Sequence, residues 1–431
     1  TAVRGQGARP VYCMRVVPST AGACSAVVKT AVAGGTGTGT ITVAGAAYDA
    51  YQARVSITRT GTVNVGAFKY SLDGGDVCSG EIVIPGGGTY LIPDSNITLT
   101  FVVGGGPVIF EAGDVHTFTT TAPEFTTGDI ATTIAALLVD PTQWGFIHLV
   151  GAPQTGNDAT KSAASATIAT AMSTHMNTAE VAARYGFCLM DAPDVANDSS
   201  GDSALAAAFA NFSSLRVGLC AGYSEQVSAI DGRVYRRPDN WVLAARVACI
   251  PVQEMPSRVD SGPVGGISAL GRDERSREYL DALRISTMRT HIGKQGVYVT
   301  SGRLLAPAGS DFELIPNRRV LDKACAAARL ALLKFLDDDL FVNGTASTVV
   351  AGQPGAPGTI REGDARRVEN YILSQVQATL GDAVSEVVIT CNRADNLLST
   401  KNLRVTIRVI PKGYARFVSA DIGLSNPALA A

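Results

Sequence analysis

The stretch WGFIHLVGAPQTGNDATKS, residues 144–162, decides how the middle of this 431-residue chain is read. It opens on an apolar run without alternation, passes through a loop bearing Gly151 and Gly156, and enters an Ala/Ser/Thr-rich stretch up to Gly186. A short unbroken apolar run suits a strand buried on both faces, whereas the Ala-rich stretch suits a helix. The pattern then repeats. FCLMDAP (187–193) reads as a strand, SALAAAFANF as a helix and RVGLCAG (216–222) as another strand. Alternating strands and helices with apolar strands predict a mainly parallel sheet covered by helices.

A strand, a glycine loop and a helix also make up the usual cradle for a phosphate. A phosphate loop of Walker type places Lys and Ser/Thr directly after its second glycine. Here Asn157 and Asp158 follow Gly156, and Lys161 and Ser162 come too late. Asp158 would set a carboxylate where the anion should lie. Its expected role is to cap the next helix, with Asp158 or Thr160 starting it. An α/β enzyme would have its site near residues 151–158 and Asp191–Asp194. However, the chain carries no G-x-S-x-G, no HExxH and no CxxC, and His116, His148, His175 and His291 stand at no ligand spacing. His148, between Ile147 and Leu149, reads as a satisfied core histidine, and FLDDDLF (335–341) as a solvated helix face. No catalytic, cofactor or metal residue is expected, and the chain is read as a non-enzyme.

Upstream, residues 31–125 show short alternating runs punctuated by RTGT, DGGD, PGGG and PDSN, which predicts an antiparallel β sandwich or barrel. GGTGTGT (34–40) reads as a strand or turn, with no helix after it to give it a phosphate-loop meaning. After the Thr-rich boundary HTFTTTAPEFTT, the residues TTGDIATTIAALLVD read as a helix capped by a Thr/Asp cluster, with Ile130, Ile134, Leu137 and Leu138 on one face. The resulting division is an arm and first strand over 1–30, a β-rich domain over 31–125 and a central α/β domain over 126–295. A C-terminal α/β domain over 296–416 and a second arm over 417–431 complete it.

Composition limits the classes of function. Apolar residues make up 46% and charged residues 17%, a low charged share that suits a surface buried against copies of the same chain. The net charge of -2, with short basic groups such as RVYRRP (233–238) and PNRR (316–319), argues against a nucleic-acid binder. No run approaches the ~18 apolar residues of a membrane span, and the N-terminus TAVRGQGARP lacks a signal-peptide core. Synthesis and retention in a cytoplasm are expected. Of eight cysteines, Cys188, Cys220, Cys249 and Cys325 sit in apolar runs and read as buried small hydrophobes. Cys13, Cys24 and Cys78 lie where thiols would be exposed and could form inter-subunit disulfides.

The last third begins with a strand, a loop and a long helix from about Arg319 to Leu340. A Gly/Pro linker, AGQPGAPGT (351–359), precedes a helix with Val368, Tyr371, Ile372, Val376 and Leu380 on one face. SEVVITCNR and a half-buried strand follow. In that strand Leu403, Val405, Ile407 and Val409 alternate with Arg404, Thr406 and Arg408, and its own hairpin partner is not obvious. Both ends of the chain are extended and partly apolar: ARPVYCMRVVPS (8–19) and VSADIGLSNPALAA (418–431). Such segments either add a strand to a neighbour's sheet or fold back on their own domain. Heterologous strand donation gives a ring or an open filament.

GVYVTSGRLLAPAGSDFELIPNRRVLDKACAAA (296–328), followed by LRVTIRVIPKGYARFVSADIGLSNP (403–427), resembles the C-terminal domain of contractile phage tail sheath proteins. The likeness covers about residues 290–425 and is weaker at the front. It implies a homo-oligomer of stacked hexameric rings forming a helical tube around an inner tail tube protein, with baseplate and tail terminator proteins as further partners. Contraction of that tube would drive penetration. It also implies a place in the virion tail after assembly in a bacterial cytoplasm, with no cofactor, no direct DNA binding and no membrane insertion. The N-terminal arm would comprise Pro10, Val11, Tyr12, Met14, Val16 and Val17, and the C-terminal arm Phe417, Val418, Ile422 and Leu424. The strand they would join runs along Leu403, Val405, Ile407 and Val409. Another tail or baseplate protein of similar layout is the alternative within the same class.

Overall fold

The computed structural model describes residues 11–105, 109–228, 232–345 and 347–416 and divides into two compact units, Cys13–Leu137 and the chain from Leu138 onward.

The smaller unit is built from β1 (Ala23–Cys24), β2 (Val28–Thr30), β3 (Thr40–Ala44), β4 (Gln52–Arg59), β5 (Ala67–Ser71), β6 (Ile82–Val83), β7 (Thr89–Ile92), β8 (Ile97–Val102) and β9 (Val115–Thr121). One sheet runs β1-β9-β4-β5-β6 with β2 also on β9, and the other runs β3-β8-β7. All these strand pairs are antiparallel. Period-two burial follows the sequence: Ala53, Val55 and Ile57 of β4 point inward, as do Ile97, Leu99 and Phe101 of β8. The two inner faces share one core in which the Phe68 ring packs 4.8 Å from Phe101 and 5.3 Å from Tyr90. This is the β sandwich read from the turn spacing. Helix α1 (Thr127–Val139) starts as expected from its Thr/Asp cluster. The Asp129 carboxylate accepts from Thr126 N–H at 2.8 Å, and Thr126 Oγ1 accepts from Asp129 N–H at 3.4 Å, a reciprocal cap.

In the larger unit, β10 (Phe146–Leu149), β11 (Phe187–Asp191) and β12 (Val217–Cys220) form a parallel sheet in that order. Helix α2 (Asp158–Val181) connects the first two strands and α3 (Ser199–Phe209) the second two. Helix α4 (Asn240–Cys249), together with α2, packs against β11 and β12. Every residue of β11 is buried, as an apolar strand covered on both faces requires.

The parallel arrangement ends at Cys220. Strands β13 (Tyr223–Val227), β14 (Val234–Pro238) and β15 (Ile267–Ala269) form an antiparallel sheet in the order β14-β13-β15. Strands β16 (Met288–His291) and β17 (Lys294–Val299) form a hairpin. The short connections of β13–β14 and β16–β17 cannot cross over a sheet, so those two pairs must be antiparallel. The basic group RVYRRP is therefore mostly strand, and its Arg236 pairs with Asp194 at 2.6 Å.

The C-terminal portion contains α5 (Ile315–Leu333), α6 (Glu362–Leu380), β18 (Val384–Cys391) and β19 (Val405–Pro411). Helix α5 begins before Arg319 because Pro316 fits the first turn, where its missing N–H costs nothing. It also stops well short of Leu340. Asp337 takes a left-handed backbone, φ 58°, so FLDDDLF is a turn rather than a helix face, and Asp338 meets Arg367 at 3.4 Å. The Gly/Pro linker AGQPGAPGT is anchored at its end: Ala356 and Thr359 are buried, and Asn343 Nδ2 donates to Thr359 Oγ1 at 3.0 Å.

Candidate assembly interface

The corner after β10 holds the residues an enzyme reading would use, and their valences are taken up internally. His148 Nε2 lies 2.9 Å from Asp191 Oδ1. Asn240 Nδ2 donates to the same oxygen at 2.9 Å, while Gly151 N–H and Trp241 Nε1 donate to Oδ2 at 2.9 and 3.2 Å. A buried carboxylate met by four nitrogen partners from β10, the following loop and α4 fixes the corner rigidly. Helix α2 starts at Asp158 as expected, but its cap is Asn157 rather than Asp158: Asn157 Oδ1 accepts from Thr160 N–H at 2.9 Å. Asp158, one residue inside, instead accepts from Ala196 N–H at 2.9 Å. Lys161 donates to Asp194 O at 3.0 Å, so it too is occupied. Among the described residues no group of three or more His, Cys, Asp or Glu side chains could hold a metal ion, and no helix is long and apolar enough to cross a membrane.

Next to this corner, burial pushes the Asp239 carboxyl up to about 7, against which the Ser224 hydroxyl, donating to Oδ1, works only partly. A carboxyl raised in the folded state favours folding most at acid pH. Its contribution is present below the unfolded value near 4 and is lost as pH rises through about 7. Asp239→Asn is expected to flatten the fall in melting temperature between pH 5 and pH 8; an unchanged slope would count against this assignment.

The C-terminal sheet has a different character. β18 and β19 pair antiparallel, with Ile389 opposite Ile407 and Cys391 opposite Val405, which supplies the partner the sequence left open. One face packs on α5 and α6, where Val387, Leu403, Val405, Ile407 and Val409 meet Val368, Ile372 and Val376. Glu386, Val388, Thr390, Arg404, Thr406 and Arg408 form the exposed face. Each strand has a single partner among the described residues, so two edges of main-chain N–H and C=O groups stay open.

The arm residues divide between described and undescribed positions. Pro10, Phe417, Val418, Ile422 and Leu424 lie outside the described residues. Val11, Tyr12, Met14, Val16 and Val17 are described and carry no regular structure; Val11, Tyr12 and Val17 are 59%, 67% and 69% exposed. The segment is fastened from Ser19 on. Ser19 N–H and Oγ donate to Asp129 Oδ2 at 3.0 and 2.8 Å, and Thr20 pairs with Glu124. The Thr126 N–H and Ser19 hold the Asp129 carboxyl down at about 2.

At the other end, residues beyond β19 are tied down by side chains that sequence inspection missed. Tyr414 O–H donates to Gln253 O at 2.7 Å, and Arg416 reaches Asp281 at 3.4 Å. Arg303 bridges the same acid and Glu313 at 3.7 and 3.0 Å. No local pattern announces these partners, which lie more than a hundred residues from the tail. Of the cysteines, Cys188 and Cys220 are buried and burial raises both thiols. Cys249 and Cys325 are only half-buried. Cys13 and Cys78 are exposed. Cys24 is half-buried against the sandwich core, and burial raises its thiol.

A family profile described as DUF2586, N-terminal domain, matches residues 1–303, and one described as DUF2586, C-terminal domain, matches residues 311–429. The chain belongs to the DUF2586 family. It is 30% identical over 118 residues to a candidate tail sheath protein of Haemophilus phage HP1 (strain HP1c1), a match covering 25% of this chain and 31% of that protein. The matched part is thus less than a third of that relative's length, and its name agrees with the sheath resemblance read from residues 296–427. Among solved structures, the contracted sheath complex of an extracellular contractile injection system, PVC, is 14% identical with a TM-score of 0.48, covering 73% of this chain and 77% of that one. The contracted helical sheath of the anti-feeding prophage gives 14% and 0.47 over 71% and 78%. The sheath tail protein Lin1278 from Listeria innocua gives 12% and 0.41 over 92% and 82%.

Proposed function

We propose that this chain is the sheath subunit of a contractile phage tail. Copies assemble in a bacterial cytoplasm into stacked hexameric rings, wound as a helical tube around an inner tail tube and bounded by baseplate and terminator proteins. Contraction of the tube drives the inner tube into its target. The observation that carries this reading is the two-stranded β18–β19 sheet, open at both edges among the described residues, on a chain whose first described residues are apolar, exposed and unpaired. An extended arm from a neighbour would satisfy an open edge through main-chain hydrogen bonds. Arms from about Pro10 to Val17 and over 417–431 would then link subunits while the folded units move as rigid bodies. The exposed Cys13 and Cys78 are the thiols best placed to bridge copies. The relation to a named tail sheath protein supports the same reading, and the saturated corner at Asp191 speaks against an enzyme there.

Truncation after Ser419 is expected to leave a folded protein, by circular dichroism, that no longer forms rings or tubes under the electron microscope. The full chain should form them. Normal tubes from the truncated chain would refute the arm assignment, and a uniformly monomeric full chain would sink the sheath reading itself.

A further inference from the structure

The Gly/Thr run ahead of β3 has no part in the assembly reading, yet it is held in an unusual way. Residues 31–39 join β2 to β3 and are fastened chiefly by side chains. Thr36 and Gly37 N–H both donate to Glu111 Oε2, at 2.6 and 2.9 Å, and Val32 N–H donates to Asp114 Oδ1 at 3.0 Å. From below, the Lys29 ammonium donates to the carbonyls of Gly37 and Gly39 at 2.8 and 3.0 Å and pairs with Asp114 Oδ2 at 2.9 Å. The fit is close. A Cβ on Gly37 would lie 2.9 Å from Asp114 Oδ2, and one on Gly39 would lie 2.7 Å from the Phe110 ring.

Beneath sits His116 of β9, directly opposite Lys29 in the β2–β9 register. It is 1% exposed, and neither ring nitrogen has a hydrogen-bond partner among the described residues. Its other strand neighbour is the apolar Val55 of β4. The charged groups acting on it are Lys29 from β2 and Asp114 from the loop before β9. Burial, reinforced by the Lys29 charge, pulls His116 down to about 4. Burial also pushes the Asp114 carboxyl up, but the Lys29 ammonium and the Val32 N–H outweigh it and hold that group below its ordinary value.

We propose that residues 31–39 are a strap that the Glu111 and Asp114 carboxylates lock at neutral pH and that acid releases. The Glu111 carboxylate is the anion that two backbone N–H groups of the strap share. Protonating Asp114 leaves the Lys29 ammonium without its counter-charge, which is costly away from water. Protonating His116 adds a second cation beside the first. Both changes accumulate positive charge under the strap, and lifting the strap lets water in to solvate it. Release would also uncover Phe110, which is buried in the closed form. The inference is independent of the sheath reading.

Amide hydrogen exchange on the full chain tests it. After correction for intrinsic rates, the Thr36 and Gly37 amides are expected to lose protection between pH 7 and pH 4.5 by tenfold or more beyond any loss at Val55 and Phe68 on β4 and β5. Glu111→Ala should cause the same selective loss already at pH 7. An equal loss at both places, no loss at the strap, or a Glu111→Ala strap protected like the wild type would each overturn the proposal.

Discussion

Asp191→Ala is expected to destabilise the larger unit by about 3–5 kcal/mol, the scale for stranding several buried polar groups at once. The carboxylate is buried and serves Asn240 Nδ2, Trp241 Nε1, Gly151 N–H and His148 Nε2. Alanine leaves all four without their acceptor. His148 is the least affected, because its ring retains some access to solvent. Asn240, fully buried, has no such outlet within the corner. Asp191→Asn keeps the shape but turns an –NH₂ group toward one set of donors, so it should recover only part of the loss. Urea unfolding of both variants checks the order. A change below about 1 kcal/mol for Asp191→Ala would mean that water replaces the carboxylate easily and that the corner is not rigid.

Arg216→Met should cost about 3 kcal/mol, the lower end of the range for breaking a buried ion pair. The Arg216 side chain is 2% exposed. Its guanidinium meets Glu180 of α2 at 2.7 Å, Asp322 of α5 at 3.1 Å and the Gly186 carbonyl at 2.6 Å. One fork-shaped cation thus joins the strand–helix layer to the C-terminal helix. Methionine fills most of the volume but leaves the Gly186 carbonyl unpaired and Asp322 with Arg318 alone. Lysine keeps the charge but not the fork, so Arg216→Lys should also lose most of the stabilisation. If Arg216→Lys unfolds at the wild-type urea midpoint, geometry is not what this residue contributes.

These two residues also mark where sequence reading stops. The parallel sheet was legible because FIHL, FCLMD and VGLC are apolar without alternation, and the sandwich because its turns recur at strand spacing. The faces of α1 and α6 were legible from Ile130 and Ile134, and from Val368, Ile372, Val376 and Leu380, since a 3.6-residue period is a local property. Arg216 shows no such sign. It opens the run RVGLCAG like any flanking charge, and its partner Asp322 lies 106 residues away. The α2 cap was misplaced by one residue because Asn157 and Asp158 are both good caps and only backbone geometry chooses between them. The end of α5 was overrun because Leu and Ala favour continuation, whereas the helix ends at Leu333 and gives way to turns in which Asp337 is left-handed. Of the candidate interface, the alternation along β19 was visible; its pairing with β18 and the anchors at Tyr414 and Arg416 depend on residues brought together only by folding.

The open β18–β19 sheet has a consequence for how stability should be defined at all. A two-stranded sheet is marginal by itself, and this one leans on a single helical layer while its other face meets water. Any strand that docks on an edge binds the folded form and not the unfolded chain, so it shifts the folding equilibrium by mass action. If that strand comes from another copy, as proposed, melting temperature would rise with protein concentration and the dilute, isolated subunit would be the least stable form of the molecule.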